Sequence, residues 1–481
     1  MESRSTTNHY DLVVAGAGSG GIGAALAAAR QGLTVLLLER GHVIGGNAVR
    51  AGVSMWEPGV GGTGIPFDIY RRLRKIPQAA AIYSYGRHFC WPGGENFPGG
   101  EHVIDPQRGY MDTLQRYGAR ALVKDEAFCR EHWHGVVFEP FAYARVVGEM
   151  LAETGMCTVT TATSFRDVEF ADGRVVALTL STGQRVTADA FVDATGDGVL
   201  CQACGCEMLR GPEGCARFGE PSAPEAAGDR VNGVTLMFRI IPTESAHVEA
   251  LPNDVPAHCW WADNFAVVSM THYPNGDVNV NMLPTMQGKM FREMGYADVY
   301  AECHRRVLSQ WHYIQNHYAE FQHCRIAWIA PALGVRETVR VVGEYVLTEH
   351  DLRAGLSCQK HADIIALADH AVDHHGEGGG CGELSEPYGV PYRCLIPKGF
   401  RNLLIACRAA SFSALAASSC RLSRTMMQLG QAAGTAVAQA RSLKVDLPEA
   451  PLEALRASLR AQHVQLEHPL PGDLRAHLHV V

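Results

Sequence analysis

The chain has 481 residues, a formal net charge of −8 and 47% apolar residues, the make-up of an ordinary core-forming protein. Its length exceeds what one simple core accommodates, so two or three domains are expected. Its acidic balance, without a dense run of lysine and arginine, argues against nucleic acid and anionic lipid surfaces as partners.

The first predicted unit is a strand, a glycine turn, a helix and a second strand. Residues 10–15 read as a buried parallel strand and run into the pattern GxGxxG at residues 16–21. A small-residue helix follows and stops at Gly32, and residues 34–38 form the second strand, closed by Glu39. This order, with an acid about twenty residues past the first glycine, is the full context of a dinucleotide-binding turn.

Each part of this unit has a physical task. Gly16 permits the tight turn, Gly18 lets the backbone approach a pyrophosphate, and Gly21 lets the helix lie close to the sheet. The helix N-terminus favours phosphate, and Glu39 can accept hydrogen bonds from ribose hydroxyls. The alternative is a glycine-rich turn without a ligand, since 50 glycines produce chance matches to the pattern. The unit alone does not distinguish NAD from FAD.

Further strands and turns follow along the chain. A second glycine pair, in the stretch GGN, stands at residues 45–47. Residues 166–189 contain two turn signals, ADG and STGQ, between alternating segments and predict a β-meander. Residues 190–193 form a buried strand that enters the turn TGDG. Residues 402–408 form a third such strand, ahead of a small-residue helix at 425–440.

The remaining predicted elements lie between and after these. The segments WWADNFAVVSMTHY (260–273) and GDVNVNML (276–283) flank a Pro-Asn-Gly turn and predict a hairpin. Residues 301–321 predict an amphipathic helix. Residues 447–466 predict a terminal helix with Pro448 near its start, to which we assign no function.

Several of these motifs together carry a resemblance to a known family. The chain resembles the FAD-dependent oxidoreductases with a glutathione-reductase-type FAD domain. Within them it is similar to the fumarate-reductase-like, non-covalent flavoproteins. The matching stretches, in chain order, are AGAGSGG, LLLER, GGN, DATGDG, GVRETVRVVGEYVLT, PYGVPYRCLIPKGFRNLLIACRAAS and RLSRTMMQLGQAAGTA.

The resemblance implies a set of contacts to FAD. The glycine turn and Glu39 would hold the ADP half, and Arg408 would lie near the pyrophosphate. Gln431 and Ala432 would lie by the start of a helix whose positive end faces the flavin and favours its anionic reduced form. The implied cofactor-binding residues are Gly16, Gly18, Gly21, Glu39, Arg40, Gly46, Asn47, Thr195, Gly196, Arg408, Gln431 and Ala432.

Two positions depart from the family's pattern. Asn47 stands where flavoproteins with covalent FAD carry a histidine, so non-covalent FAD is predicted. Cys407 stands where the family usually has glycine, and its side chain would push the backbone away from the phosphates.

The predicted fold class is α/β. A Rossmann-like FAD-binding domain, with a parallel sheet and a β-meander, would be discontinuous and comprise residues 8–60, 135–210 and 390–445. An inserted α+β substrate or cap domain would comprise residues 215–385, and a helical tail residues 446–481.

Four residues are the candidates for catalysis. Arg336 would bind or polarise an anionic or carbonyl substrate, and the alternative is an Arg–Glu ion pair that fixes a strand end. Arg421, near the helix at 425–440, would reach substrate or cofactor, and the alternative is a pair between domains. His374 and His375 begin a glycine-rich loop that would deliver an acid or base, and the alternative is a surface loop.

Other chemistry-bearing residues favour structural roles. With 22 histidines in the chain, His88, His132 and His134 are expected to be structural or exposed. The stretch Cys201-x-x-Cys204-x-Cys206 invites a redox or zinc reading, but no second Cys/His pair stands at zinc spacing. We therefore expect these cysteines in the core, and no metal.

The leading function is that of an FAD-dependent oxidoreductase, a dehydrogenase or reductase acting on a small organic molecule. One alternative is a flavin monooxygenase that uses NAD(P)H, and another is a carrier of this fold without redox chemistry. A plain NAD-binding enzyme would leave DATGDG and the C-terminal motifs unexplained. Fifteen cysteines without a repeating frame, and no secretory signal or membrane span, favour a cytoplasmic protein; its oligomeric state is open.

Overall fold

The computed structural model describes residues 8–87, 100–116, 126–264, 268–374 and 381–479. Helices and strands alternate along the chain, and most strands belong to two large sheets. The strands are β1 (Asn8–Ala15), β2 (Val35–Leu38), β3 (Met55–Trp56), β4 (Ala80–Arg87), β5 (Glu101–Ile104), β6 (His134–Phe138), β7 (Cys157–Thr160), β8 (Phe165–Ala171), β9 (Arg174–Leu180), β10 (Arg185–Asp193), β11 (Met208–Arg210), β12 (Phe238–Pro242), β13 (Val268–His272), β14 (Val278–Met282), β15 (Cys324–Ile329), β16 (Val339–Val341), β17 (Ile364–Ala368), β18 (Val372–Asp373), β19 (Cys381–Gly382), β20 (Tyr388–Pro391) and β21 (Leu403–Ile405).

The α-helices are α1 (Ser19–Arg30), α2 (Asn47–Arg50), α3 (Ile65–Leu73), α4 (Glu126–His132), α5 (Pro140–Glu153), α6 (Val199–Ala203), α7 (Cys215–Phe218), α8 (Trp260–Asn264), α9 (Gly288–Glu293), α10 (Tyr296–His317), α11 (Glu349–Cys358), α12 (Ala414–Ser419), α13 (Ser423–Leu443), α14 (Leu452–Ala461) and α15 (Gly472–Leu478). Short 3-10 helices lie at Tyr110–Leu114, Ala319–His323, Tyr392–Leu395 and Leu447–Glu449. No helix in the described part of the chain is long and apolar enough to cross a membrane.

The seven-stranded sheet has a parallel core. Strands β7, β2, β1 and β10 follow one another in parallel, and β21 adds to the end of β10, also in parallel. Strand β10 is shared between two structures: its first residues pair antiparallel with β9, and its last residues, 191–193, pair with β21. The last strand of the predicted meander and the predicted buried strand at 190–193 are therefore one continuous strand, β10. The α/β fold class is confirmed.

Helices α1 and α13 cover this sheet and pack very closely on each other. A Cβ added at Gly430 would lie 1.9 Å from the carbonyl oxygen of Gly20, so the two helix backbones touch. Both helices are rich in alanine, and their facing residues are fully buried. Because only glycine permits this approach, the small-residue patterns of both helices are a packing requirement.

The second large sheet has eight strands. Its strand order is β15-β12-β14-β13-β5-β4-β6-β3, and pairing is mostly antiparallel. Helix α10 packs its apolar face, including Val307 and Trp311, into the core beside this sheet. The sheet draws strands from 55–138 as well as from 238–329. Residues 55–56 and 135–138, which the sequence boundaries place in the FAD-binding segments, therefore lie in this sheet.

Three predicted elements differ in detail from the observed ones. Residues 260–264 form helix α8 rather than a strand, and only 268–272 and 278–282 make the predicted hairpin around the Pro-Asn-Gly turn. The amphipathic helix α10 begins five residues earlier than predicted. The terminal helix begins at Leu452, because Pro448 and Pro451 hold the chain before it in a 3-10 turn and an extended residue.

Candidate functional site

The carboxyl ends of three parallel strands meet at one point of the seven-stranded sheet. Strands β1, β10 and β21 end at residues 15, 193 and 405, and each continues into a turn that the sequence singled out. Gly16 has φ +102°, and a Cβ there would lie 2.4 Å from the carbonyl oxygen of Ala194. The glycine turn and the DATGDG turn are therefore in contact, at the edge where ligands bind in such sheets.

Glu39 lies beside this point at the end of β2. One carboxylate oxygen accepts a hydrogen bond from the Ala17 N–H at 3.1 Å and the other from the Gly41 N–H at 2.7 Å. These bonds fix the buried carboxylate next to the glycine turn. Its remaining lone pairs can accept hydrogen bonds from two hydroxyl groups of a ribose.

The glycine pair at residues 45–46 packs on the same turn. A Cβ at Gly46 would lie 2.8 Å from the Cα of Gly18, and the Gly45 N–H donates to the Ala17 carbonyl oxygen at 2.8 Å. Asn47 is partly exposed and begins helix α2. The structure thus brings residues 16–18 and 45–47 together.

Arg408 and Asp197 form an ion pair on the other side of the strand ends. Arg408 Nη2 donates to Asp197 Oδ1 at 2.5 Å, and the Thr338 hydroxyl donates to the same oxygen at 2.8 Å. Burial opposes the ionised form of Asp197, but Arg408, Thr338 and the exposed Arg40 outweigh it and lower its pKa. Cys407 is buried, and burial raises its pKa to about 12, so it is a neutral core thiol.

The helix predicted at 425–440 begins two residues earlier, at Ser423. Gln431 and Ala432 therefore lie in the middle of α13, and the prediction that they lie by the start of a helix is wrong. Gln431 is buried and accepts a hydrogen bond from the Ile65 N–H at 3.1 Å, which fixes the start of α3. Ala432 is fully buried.

The chemistry of this region fits a dinucleotide. The position of a Cβ at Gly18 has no protein atom within 4 Å, so the backbone there is open to a ligand. The N–H groups at the start of α1 lie next to it and favour phosphate. Arg408 Nε is buried and has no hydrogen-bond partner in the described part of the chain. An anionic cofactor could satisfy that donor.

A group of charged side chains lies around the N-terminal end of α13. We call it the charged cluster; its members are Glu57, Arg116, Arg336, His370, Asp373, His374, Arg421 and Arg424. They come from segments far apart in the sequence, yet the charges of many of them act on one another. The cluster is the candidate active site, because perturbed ionisable groups gather where acid–base chemistry and charged ligands are handled.

Glu57 is the acidic member that solvent reaches most. Its Oε2 lies 3.3 Å from His370 Nε2 and 3.5 Å from Arg116 Nη1, while its side chain is 42% exposed. Burial opposes the ionised form, but His370 and Arg116 outweigh it and lower the pKa of Glu57 to about 2. Glu57 is thus a permanent negative charge with one oxygen, Oε1, that accepts no hydrogen bond within the described chain.

Arg336 is a basic member of the cluster whose hydrogen bonds within the described chain go to neutral groups. Its Nη1 donates to the Gly233 carbonyl at 3.0 Å and to the Thr235 hydroxyl at 2.7 Å, and it forms no ion pair among the described residues. Burial, and then the nearby charge of Arg421, lower its pKa to about 10. The alternative, an ion pair at the strand end, exists but uses Arg340, which lies 3.4 Å from Glu337.

Arg421 and His374 lie next to each other in the cluster. Arg421 Nη2 donates to Asp373 Oδ2 at 3.0 Å, and its Nε is buried without a partner. Burial lowers the pKa of the half-buried His374, the charges of Arg230 and Arg421 add to this, and Asp373 opposes them. His374 is therefore a neutral imidazole near pH 7. His375 and the rest of its glycine-rich loop lie outside the described residues.

Arg424, a member of the charged cluster, is the second residue of α13. Its guanidinium donates to the carbonyl oxygens of Glu57, Gly59 and Thr113 and to the Thr113 hydroxyl. It is buried, and all these partners are neutral. Arg424 therefore ties the glycine-rich segment that carries Glu57 to the start of α13.

The remaining candidates have structural environments. His134 is buried in β6 and lies 2.8 Å from the Ser84 hydroxyl, and His132 stacks on Phe128. Cys201 and Cys204 are buried, and burial raises their pKa values. Among the described residues no group of three or more potential ligands could hold a metal ion. His88 lies outside the described residues.

Sequence reasoning missed Glu57, Arg116, His370 and Asp373. Glu57 has a weak signal, since it precedes the glycine-rich stretch PGVGGTG, where a chain can fold around a ligand. The other three stand in segments without a motif. Only the fold brings these segments together, because Glu57 lies 59 positions from Arg116 and 313 positions from His370 in the sequence.

The comparisons with known proteins agree with this geometry. The profile of the FAD dependent oxidoreductase family matches residues 11–459. The 3-oxosteroid 1-dehydrogenase of Mycobacterium tuberculosis is 34% identical over 83 residues, which are 17% of this chain and 14% of the dehydrogenase. That of Mycolicibacterium smegmatis is 43% identical over 53 residues, 11% of this chain and 9% of the dehydrogenase. The chain thus spans a small part of the length of these curated relatives.

Two solved structures show distant likeness over nearly the whole chain. A geranylgeranyl bacteriochlorophyll reductase-like protein from Thermoplasma acidophilum is 12% identical, with 98% of this chain and 96% of that chain covered and a TM-score of 0.47. PqsL, a probable FAD-dependent monooxygenase from Pseudomonas aeruginosa, is 13% identical, with 94% and 92% covered and a TM-score of 0.38. The family match confirms the predicted oxidoreductase class and FAD as its cofactor. The chain therefore belongs to the FAD dependent oxidoreductase family.

Proposed function

We propose that the protein moves a hydride between a small organic substrate and non-covalently bound FAD. The observation that carries this proposal is the charged cluster at the start of α13, beside the strand ends where the dinucleotide motifs meet. Bound FAD supplies the hydride acceptor, or the donor in the reverse direction. The residues of the chain then have three tasks: to hold the cofactor, to orient the substrate and to move one proton.

The first task falls to the residues around the strand ends. Glu39 would accept hydrogen bonds from the ribose, and Gly18 and the N-terminus of α1 would face the pyrophosphate. Arg408 would direct its unpartnered Nε toward the cofactor while Asp197 holds the guanidinium in place. Asn47 offers no nucleophile for attachment, which supports a non-covalent hold.

The other two tasks fall to the charged cluster. Arg336 and Arg421 would orient the substrate, since both retain donor capacity that protein groups do not use. His374 would take or give the proton, because its neutral ring forms no hydrogen bond within the described chain and can act as a base near pH 7. His375, from the same loop, remains a second candidate for this role.

The experiment that tests the proposal is an absorption spectrum of the purified protein, followed by heat precipitation and assay of the supernatant for FAD. A flavin band with FAD released into solution is expected. A yellow precipitate would mean covalent attachment and contradict the role of Asn47. A colourless protein that does not take up added FAD would overturn the proposed function.

We also propose that the protein works in the cytoplasm on a small-molecule substrate. In support, none of the thirteen cysteines whose side chains the structure describes forms a disulfide. Fractionation of cells that produce the protein, with a cytoplasmic and a membrane marker, tests the location.

A further inference from the structure

Among the described residues, no carboxylate forms an ion pair with the positively charged Arg336. Its guanidinium is half-buried, and its hydrogen bonds go to a carbonyl and a hydroxyl, both uncharged. A second cation, Arg421, acts on it and opposes its charge. Arg424 is buried and donates to four protein acceptors, whereas Arg336 uses only its Nη1 within the described chain. The remaining N–H groups of Arg336 can therefore donate to a negative group of a ligand, which would also supply the counter-charge.

The carboxylates nearby are engaged elsewhere. Asp373 receives the hydrogen bond of Arg421, and Oε2 of Glu57 lies against His370 and Arg116. Glu337, the next residue in the chain, pairs with Arg340 and with Asn232. The charges of Asp373 and Glu57 reach Arg336 and partly offset its burial, but neither forms an ion pair with it.

Glu57 provides a negative charge in the same cluster. Its Oε2 lies against His370 and Arg116, whereas Oε1 accepts no hydrogen bond within the described chain, and the side chain is 42% exposed. An ionised carboxylate with one oxygen open in this way is an acceptor for an N–H or O–H group of a ligand. The cluster therefore offers one site for a negative group and another for a hydrogen-bond donor.

We propose that the substrate is a small organic anion that also carries a hydrogen-bond donor, with its anionic group on Arg336 and its donor on Glu57 Oε1. Amino acids and hydroxy acids share this chemistry. The inference rests on the proposed function, since it names the substrate class of that site. A neutral apolar ketone would leave the guanidinium of Arg336 without a counter-charge and Glu57 Oε1 without a donor. The free-energy cost of removing these groups from water would then remain.

The test uses four probes of the same size that differ in one group each: propionate, lactate, alanine and propionamide. Binding to the FAD-loaded protein is measured in low-salt buffer by the perturbation of the flavin absorption band and, independently, by the shift of the unfolding temperature. Lactate or alanine should bind more tightly than propionate, and propionate at least about tenfold more tightly than the neutral propionamide. Which of lactate and alanine binds better distinguishes the two sources of the donor.

Substitutions at Arg336 and at Glu57 test the two proposed contacts separately. Arg336→Gln should lose the preference for propionate over propionamide, and Arg336→Lys, which keeps the charge, should retain part of it. Glu57→Ala should retain the preference for anions but lose the advantage of lactate or alanine over propionate, and Glu57→Gln, which keeps one acceptor oxygen, should lose only part of that advantage. Arg145→Gln, at an exposed arginine of α5, is the matched control and should bind all four probes like the wild type.

Two results would overturn the inference. One is equal binding of propionate and propionamide to the wild type, and the other is unchanged discrimination in folded Arg336→Gln. Neither depends on whether the protein is redox-active. A protein that contains no FAD contradicts the proposed function instead, and its unfolding temperature still reports whether the anions bind.

Discussion

Arg424 Nη2 donates to the backbone carbonyl oxygen of Glu57 at 2.5 Å, across 367 positions of the sequence. This bond joins the start of α13 to the segment that carries the exposed carboxylate of the charged cluster. The same guanidinium also reaches Gly59 and Thr113, so one side chain orients three segments. The geometry of the candidate active site thus depends on a residue that carries out no chemistry in the proposed reaction.

Replacement of Arg424 by methionine should destabilise the protein strongly. Methionine fills a similar volume but leaves the carbonyl oxygens of Glu57 and Gly59 without a donor, so a loss of about 2–4 kcal/mol is expected. Unfolding by denaturant measures it. Arg145→Met, at an exposed arginine, should change the stability by less than about 0.5 kcal/mol. A similarly small change in Arg424→Met would contradict the stabilising role of the Arg424 hydrogen bonds.

Replacement of Gly430 by alanine should separate α1 from α13. The new Cβ would lie 1.9 Å from the Gly20 carbonyl oxygen, so a backbone must move, at a cost of about 1–3 kcal/mol. Because α1 begins next to Gly18, the affinity for FAD should fall as well. Gly472→Ala is the control, since a Cβ there meets no atom within 4 Å. Denaturant unfolding and FAD titration of both variants check this, and equal stability of the two would contradict it.

Replacement of Glu39 by alanine should weaken FAD binding about 10- to 100-fold, which corresponds to the loss of charge-assisted hydrogen bonds to the ribose. Glu39→Gln should lose less, since it keeps one acceptor oxygen. Titration of the protein, stripped of its cofactor, with FAD measures the dissociation constant. Glu149→Ala removes an exposed carboxylate of α5 and should leave it unchanged. FAD binding that is indifferent to Glu39 would place the ribose elsewhere.

The buried His102 should make the protein less stable in acid. Burial lowers its pKa to about 4, and charged neighbours only partly oppose this. The unfolded chain, with a histidine pKa near 6.5, then binds a proton that the folded chain excludes between pH 6.5 and 4. Stability should therefore fall by about 3 kcal/mol over that range, at about 1.4 kcal/mol per pH unit.

The variant His102→Phe isolates this contribution, since phenylalanine can keep the stacking on Tyr83 but does not titrate. Its stability should depend less on pH between 6.5 and 4 than that of the wild type. Parallel curves for the two proteins, from denaturant unfolding at several pH values, would contradict the assignment.

The role proposed for His374 predicts the pH dependence of turnover. A base acts in its neutral form, and the lowered pKa keeps His374 neutral down to pH values below 6.5. The charged groups that act on it are Arg230, Asp373 and Arg421. The rate should be flat near pH 7 and fall only in acid below 6.5. His374→Gln should lose this acid limb and about 10²–10⁴ of the rate, whereas an unchanged profile would assign the proton to another group.

The sequence by itself determined the α/β fold class, the family and the cofactor. The signals for these are local: a glycine turn between a strand and a helix needs about thirty consecutive residues to be recognised. The same is true of the meander, the hairpin at 268–282 and helix α10. Helix α13 begins within two residues of its predicted start, but Gln431 and Ala432, expected beside that start, lie in its middle.

The tertiary structure decided which charged residues share a site. Glu57 lies against His370 and Arg116, and Arg336 is left without a carboxylate, through contacts between segments that no motif connects. A charge pair depends on distance in space, and a pKa depends on burial, and neither has a period or spacing along the chain. The sequence therefore identified the cofactor, while only the fold assembled the residues that would meet the substrate.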